Sequence, residues 1–300
     1  MAHLDPWPAE PPADVPVRPR RRIPAINVIL FVVTAISTTI AGAYWDGVDP
    51  LADPSTIVRG IPFSATLIAI LFVHESGHYL MCVRHRVSAS LPYFLPAPPM
   101  IFPLGTFGAF IRIRSRFPNR RALFDIGAAG PWAGFVVALI ATIVGLSLST
   151  VLPVAPESAV ELGDSLLTKL LTRLVLDVDP TRVALHPIAL AGWFGLFVTS
   201  LNLIPVGQLD GGHVLYAAFG RTRFVPTLLV AFLFWLGLTG WPGWMLWGFI
   251  LTALIMIGHP TTNDDPRPLD PARFVSALAT LAMFVVTFVP EPLKFIGDFQ

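Results

Sequence analysis

Long apolar runs separated by short polar ones set the plan of this chain. Residues 24–44, 61–83, 122–150, 183–205 and 273–289 are each apolar over a length close to the roughly 17–25 residues that a helix needs to cross a bilayer. The stretch 225–258 is apolar as well, but Trp241-Pro242-Gly243 sits at its middle. Proline next to glycine there predicts a tight turn between two short spans. The pattern predicts seven membrane helices, or six if 225–258 is a single broken helix.

Between the second and third runs the pattern changes. Residues 84–121 are too polar for another span, and Pro92, Pro96, Pro98, Pro99 and Pro103 disfavour a helix at their start. From Phe107 to Arg116, Ile111 and Ile113 alternate with Arg112, Arg114 and Arg116, which is the period of a half-buried strand. This predicts a short re-entrant β-hairpin near the cytoplasmic face. Loop 151–182 has room for an amphipathic helix around Ser165–Leu176 but not for an inserted globular domain. The expected fold is an all-α polytopic membrane protein with that one hairpin. Its single membrane domain covers residues 23–292, with a core at 61–220, and is flanked by a Pro/Arg-rich disordered tail (1–22) and a short tail (293–300).

Composition agrees with lipid as the solvent. Hydrophobic residues make up 54% of the 300 and charged residues 13%, about half the charged share of an ordinary soluble domain. A formal net charge of +1 gives no sign of a nucleic-acid partner. The lone cysteine, Cys82, excludes an intrachain disulfide and a cysteine-rich zinc module. Residues 1–22 lack the apolar segment of a cleavable signal peptide. With the N-terminus in the cytoplasm, the outer side holds only Arg59, Lys169, Arg173, Arg182 and Lys294 of the 20 basic residues, as the positive-inside rule requires. The expected location is therefore the cell membrane, multi-pass, with the N-terminus cytoplasmic.

The second apolar run contains His74-Glu75-Ser76-Gly77-His78. Histidines four apart share one helix face, so both imidazoles can reach one zinc ion, and the intervening glutamate is placed to take a proton from the attacking water. A carboxylate inside a span costs on the order of 2.5–3.5 kcal/mol, so such a cluster calls for a metal or a cavity. A catalytic zinc takes three protein ligands, and no further carboxylate or histidine occurs within 61–83. The best third candidate is Asp210, in Asn202-Leu203-Ile204-Pro205-Val206-Gly207-Gln208-Leu209-Asp210-Gly211-Gly212-His213. Both the second and fourth spans run inward, which brings the two motifs to the same cytoplasmic end. The other reading of Asp210 is a helix cap beyond the membrane.

HESGH on one span followed by NLIPVGQLDGG on a later one resembles the site-2 protease family of intramembrane zinc proteases. The stretch GTFGAFIRIRSRFPNRRALFDIGAAGPWAGF resembles the branch that includes plastid homologues, and the likeness covers roughly residues 61–220. The resemblance implies one zinc per chain held by His74, His78 and Asp210, with Glu75 as base and Asn202 near the substrate. It also implies a membrane-spanning protein substrate, such as an anti-sigma factor or a remnant signal peptide. Many relatives insert a PDZ domain where loop 151–182 has no space for one, and nothing after 258 resembles a CBS pair.

Cutting a helix requires unwinding it first. The edge of strand 105–113, with Gly105, Phe107, Gly108 and Ala109, is a candidate to hold the unwound segment by strand addition; the other reading of this strand is a membrane-surface anchor. His213 is read either as a partner that orients Asp210 or as a capping residue. Cys82 reads as an apolar filler, His85 as interfacial, and His186 and His259 as structural. A secondary transporter, a catalytically inactive scaffold and a zinc protease with a glutamate as third ligand are the competing readings. The clustering of charge, the intact Glu75 and the lack of another glutamate within a span weigh against each in turn.

Overall fold

The computed structural model describes residues 23–153, 160–257, 262 and 268–295. The expected tail 1–22, His259 and residues 296–300 lie outside them. Three helices are long and apolar enough to cross a membrane: α1 (Ala25–Trp45), α2 (Ile61–Arg84, preceded by a 3-10 turn at Pro54–Gly60) and α3 (Arg120–Ser147). Four apolar helices are shorter: α5 (Pro187–Asn202), α7 (Phe224–Thr239), α8 (Gly243–Ile257) and α9 (Pro271–Thr287). At 1.5 Å per residue, each reaches about 23–26 Å, a little less than the hydrocarbon thickness of about 30 Å. The turn expected at Trp241-Pro242-Gly243 separates α7 from α8. Two further helices lie among the described residues, α4 (Leu166–Leu176) and α6 (Asp210–Phe219).

The core is the mutual contact of α2, α3 and α5, and α6 and α9 close against it. The amphipathic segment in the loop forms as α4, started by a capping box between Ser165 and Thr168. Asp210 does not sit on the end of α5. That helix stops at Asn202, an irregular stretch follows, and Asp210 opens α6. Such a break is tolerated at membrane depth only where protein surrounds it; Leu203, Ile204 and Val206 are indeed fully buried.

The hairpin pairs β1 (Tyr93–Pro96) antiparallel to β2 (Thr106–Phe110), so one strand lies within the proline-rich stretch. Beyond Phe110 the pairing continues as a single bridge between Ala89 and Ile113. The alternation read from the sequence holds there, with Ile111 and Ile113 half-buried and Arg112 and Arg114 exposed.

Three side chains of α1 bind this hairpin through its carbonyl groups. Asn27 Nδ2 donates to Pro92 at 2.7 Å, Ser37 Oγ to Gly105 at 2.6 Å, and Trp45 Nε1 to Pro103 at 2.9 Å. From Asn27 to Trp45 the helix rises about 27 Å. The hairpin and its apolar tip (Met100 and Ile101, both exposed) therefore follow α1 for nearly its whole length rather than sitting at one end. Gly105 lies so close to the Ser37 backbone, at φ +69°, that a side chain has no room.

Four short strands form two further pairs among the described residues: β3 (Thr150–Val151) with β5 (Val183–Ala184), and β4 (Val160–Leu162) with β6 (Leu293–Phe295). The last pairing joins Leu293–Phe295, expected as part of a tail, to loop 151–182.

Candidate metal centre

On α2, His74 and His78 project from one face one turn apart, toward the start of α6. Their Nε2 atoms are 3.1 Å apart. Asp210 Oδ2 is 3.4 Å from His74 Nε2 and 3.3 Å from His78 Nε2. A tetrahedral zinc with ligand bonds of about 2.0–2.1 Å needs donor atoms about 3.3–3.4 Å apart. These three atoms nearly meet that spacing without rearrangement, so the donor set fits the ion. Both imidazoles are buried, at 5% and 7% exposure, and the Asp210 side chain is 16% exposed.

The orientation of the ligands is set from α3. His78 Nδ1 lies 2.7 Å from the Ile126 carbonyl oxygen. A carbonyl only accepts, so Nδ1 carries the proton and Nε2 is left as the ligand atom. His74 Nε2 has Asn202 Nδ2 at 3.3 Å, from the last residue of α5. Glycines on α3 make this closeness possible. A Cβ on Gly130 would overlap the His78 imidazole, and one on Gly134 would stand 3.0 Å from the His74 ring. Gly130→Ala is therefore expected to displace His78. Such overpacking costs about 1–3 kcal/mol, and titration against a zinc chelator should show affinity weakened at least about fivefold. Unchanged affinity would mean that the ring has room to move aside.

Glu75 is buried beside the three donors without being one of them. It faces a cavity of about 750 Å³ lined also by Asn202, Gln208, His213, Ile111 and Phe117, and the Ile111 amide is directed at its carboxylate. The Arg112 N–H donates to Ser90 Oγ at 2.8 Å and its carbonyl accepts from the Ser90 N–H at 3.0 Å, while the Arg114 N–H donates to the Ser88 carbonyl at 2.8 Å. Residues 111 and 113, alternate to these, turn their backbone groups the other way, toward the cavity.

Of the residues expected along the strand, Ala109 lines the cavity. Gly105 sits under α1, and Phe107 is exposed against Phe102. Gly108 is in the left-handed region opposite Leu95. His213 is buried at the cavity wall, its ring 5.6 Å from Phe117. Cys82 is a buried apolar filler, and His186 caps α5. His85, read as interfacial, is hydrogen-bonded to Asp125 at 2.8 Å. The sequence reading missed Gln208, Phe117 and the Ile126 carbonyl. It also passed over Gly127, Gly130 and Gly134, whose helical spacing of small residues signals a close neighbour.

A mostly helical, membrane-type fold that gathers two imidazoles and a carboxylate in its interior defines a membrane protein with a buried metal centre. Residues 62–238, more than half of the chain, match Peptidase family M50, and the chain belongs to that family. It is 33% identical over 243 residues to the probable zinc metalloprotease EGY1, chloroplastic, of Oryza sativa subsp. japonica, covering 78% of this chain and 41% of that protein. With EGY1 of Arabidopsis thaliana it shares 34% identity over 244 residues, 78% of this chain and 43% of that one. With the Arabidopsis EGY2, also named a probable zinc metalloprotease, it shares 29% over 276 residues, 89% and 47%. The chain thus spans under half the length of these relatives.

Proposed function

We propose that the chain is an intramembrane zinc metalloprotease that cuts the membrane-spanning segments of single-span proteins. The observation that carries this reading is the convergence of His74 Nε2, His78 Nε2 and Asp210 Oδ2 at 3.1–3.4 Å beside a buried carboxylate that is not part of the set. His74, His78 and Asp210 hold the ion, and zinc bound there acts as a Lewis acid that makes water a usable nucleophile near neutral pH. Glu75 takes the proton of the attacking water and returns it to the leaving amine nitrogen. With zinc on His74 Nε2 that nitrogen no longer accepts a hydrogen bond, and the Asn202 amide beside it, 3.3 Å away, is offered to the substrate backbone. His213 walls the cavity next to Asp210 and helps to orient that carboxylate. The bilayer hosts the reaction, with the N-terminus and the site's end on the side rich in arginine. In the names of the relatives the membrane would be a plastid one, and the arginine bias is equally compatible with a cell membrane.

The extended substrate lies against the outward edge at Ala109, Ile111 and Ile113, where strand addition satisfies backbone groups that lipid cannot. Ala109→Pro removes one outward N–H of that edge, leaves the Ile111 amide at Glu75, and leaves the Arg112 bonds that hold the hairpin. Cleavage should fall at least about fivefold, the scale of one hydrogen bond of about 1 kcal/mol, with zinc content unchanged. Cleavage at the wild-type rate would reduce the strand to a lipid anchor. The reading as a whole is tested by incubating purified protein in liposomes with a single-span protein and mapping the cut by mass spectrometry. The expected cut falls within the apolar segment; cuts confined to the soluble flanks would overturn it.

A further inference from the structure

A second cluster of charge lies outside the metal centre, where α2, α3 and α9 meet. Arg273, near the start of α9, grips Asp125 on α3 with two of its three guanidinium nitrogens, Nε to Oδ1 at 2.8 Å and Nη2 to Oδ2 at 2.8 Å. His85 Nε2, just past the end of α2, meets the same Oδ2 at 2.8 Å. The remaining arm of Arg273 donates to Asp270 at 2.7 Å, and this hydrogen bond holds the Asp270 carboxyl below the usual range. Bidentate arginine–carboxylate pairs fix orientation as well as distance.

Asp125 immediately precedes Ile126, whose carbonyl receives the Nδ1 proton of His78. The helix ladder is weakened there, because Pro131 lies four residues after Gly127 and has no N–H for the Gly127 carbonyl. A turn with a missing helix bond beside a ligand-orienting carbonyl needs support from outside its own helix. Arg120 ties the start of α3 to the last turn of α6 through the Ala217 and Tyr216 carbonyls, at 3.0 and 3.2 Å, but it stands more than a turn away. Asp125 is the anchor next to the carbonyl itself.

We propose that Asp125 is a positioning residue for the metal ligand His78: clamped between Arg273 and His85, it holds the α3 turn whose Ile126 carbonyl sets the tautomer and direction of the His78 ring. The inference rests on His78 being a metal ligand. It also gives α9, which lies beyond the residues matched by the family, a part in forming the site. Arg273 and His85 act only through Asp125, so their removal and its removal should not add.

The test uses the full chain in detergent or liposomes, with zinc affinity read by chelator competition and ligand geometry by the visible spectrum of the cobalt-substituted protein. Asp125→Asn and Arg273→Gln should each weaken zinc binding by about tenfold, the lower end of the effect of outer partners on ligating histidines. Both should change the cobalt spectrum, and the double variant should bind zinc no worse than the weaker single. Arg273→Lys, which keeps the charge and loses the two-armed grip, should fall between wild type and Arg273→Gln, and it serves if the other variants fail to accumulate. A clamp that merely stabilises α9 would lower Tm while affinity and cobalt spectrum stay at wild type, and that result overturns the proposal. Wild-type protein that binds neither zinc nor cobalt would instead overturn the reading of the site itself.

Discussion

Glu75→Gln should bind zinc and substrate as the wild type does and lose cleavage by at least about 100-fold, the scale of a missing general base. The amide matches the carboxylate in size and still hydrogen-bonds, so the buried position beside Ile111 stays filled. What it cannot do is accept the proton of water. Because Glu75 is not one of the three converging donors, metal content should not change. The measurement is a time course of substrate cleavage at matched zinc occupancy. Residual cleavage above about a tenth of the wild-type rate would assign proton transfer to another residue lining the cavity, such as His213.

Asp210→Ala should strip the site. It removes the only carboxylate among three donors and leaves two buried imidazoles 3.1 Å apart with nothing anionic between them. Two ligands do not make a stable zinc site where three are the rule, so zinc per chain after desalting should drop from about one to near zero, with cleavage lost in parallel. Asp53→Ala, which removes an exposed carboxylate ahead of α2 and away from the metal site, is the control and should keep its zinc. Full zinc retention in Asp210→Ala would remove that residue from the ion.

The two motifs differ in how far sequence alone could place them. His74, Glu75 and His78 lie within one helical turn and a half, so local periodicity was enough to put them on α2 and on one face. Asp210 is 132 residues after His78, and its place depended on counting spans and on the likeness of the paired motifs to a known family. The prediction had it at the end of the fourth span. The chain instead breaks after Asn202 and starts α6, because Pro205 and the glycines around it stop one helix without revealing where the next begins. Alternation of isoleucine and arginine exposed the strand. It said nothing of the length of α1 that the hairpin follows, since Asn27, Ser37 and Trp45 meet carbonyl groups 58–68 residues away. The glycines of α3 and the Ile126 carbonyl were equally out of reach: a backbone acceptor carries no sequence signature, and glycine in a span reads first as a packing residue.

Membrane cleavage by this chain should depend on the metal. Purified protein in liposomes, stripped with a chelator and then titrated with zinc, is assayed for cutting of a single-span substrate. Stripping should abolish cleavage, and cleavage should return in full at about one zinc per chain. Cleavage that survives complete removal of zinc, or stripped protein that takes up no zinc, would contradict that dependence.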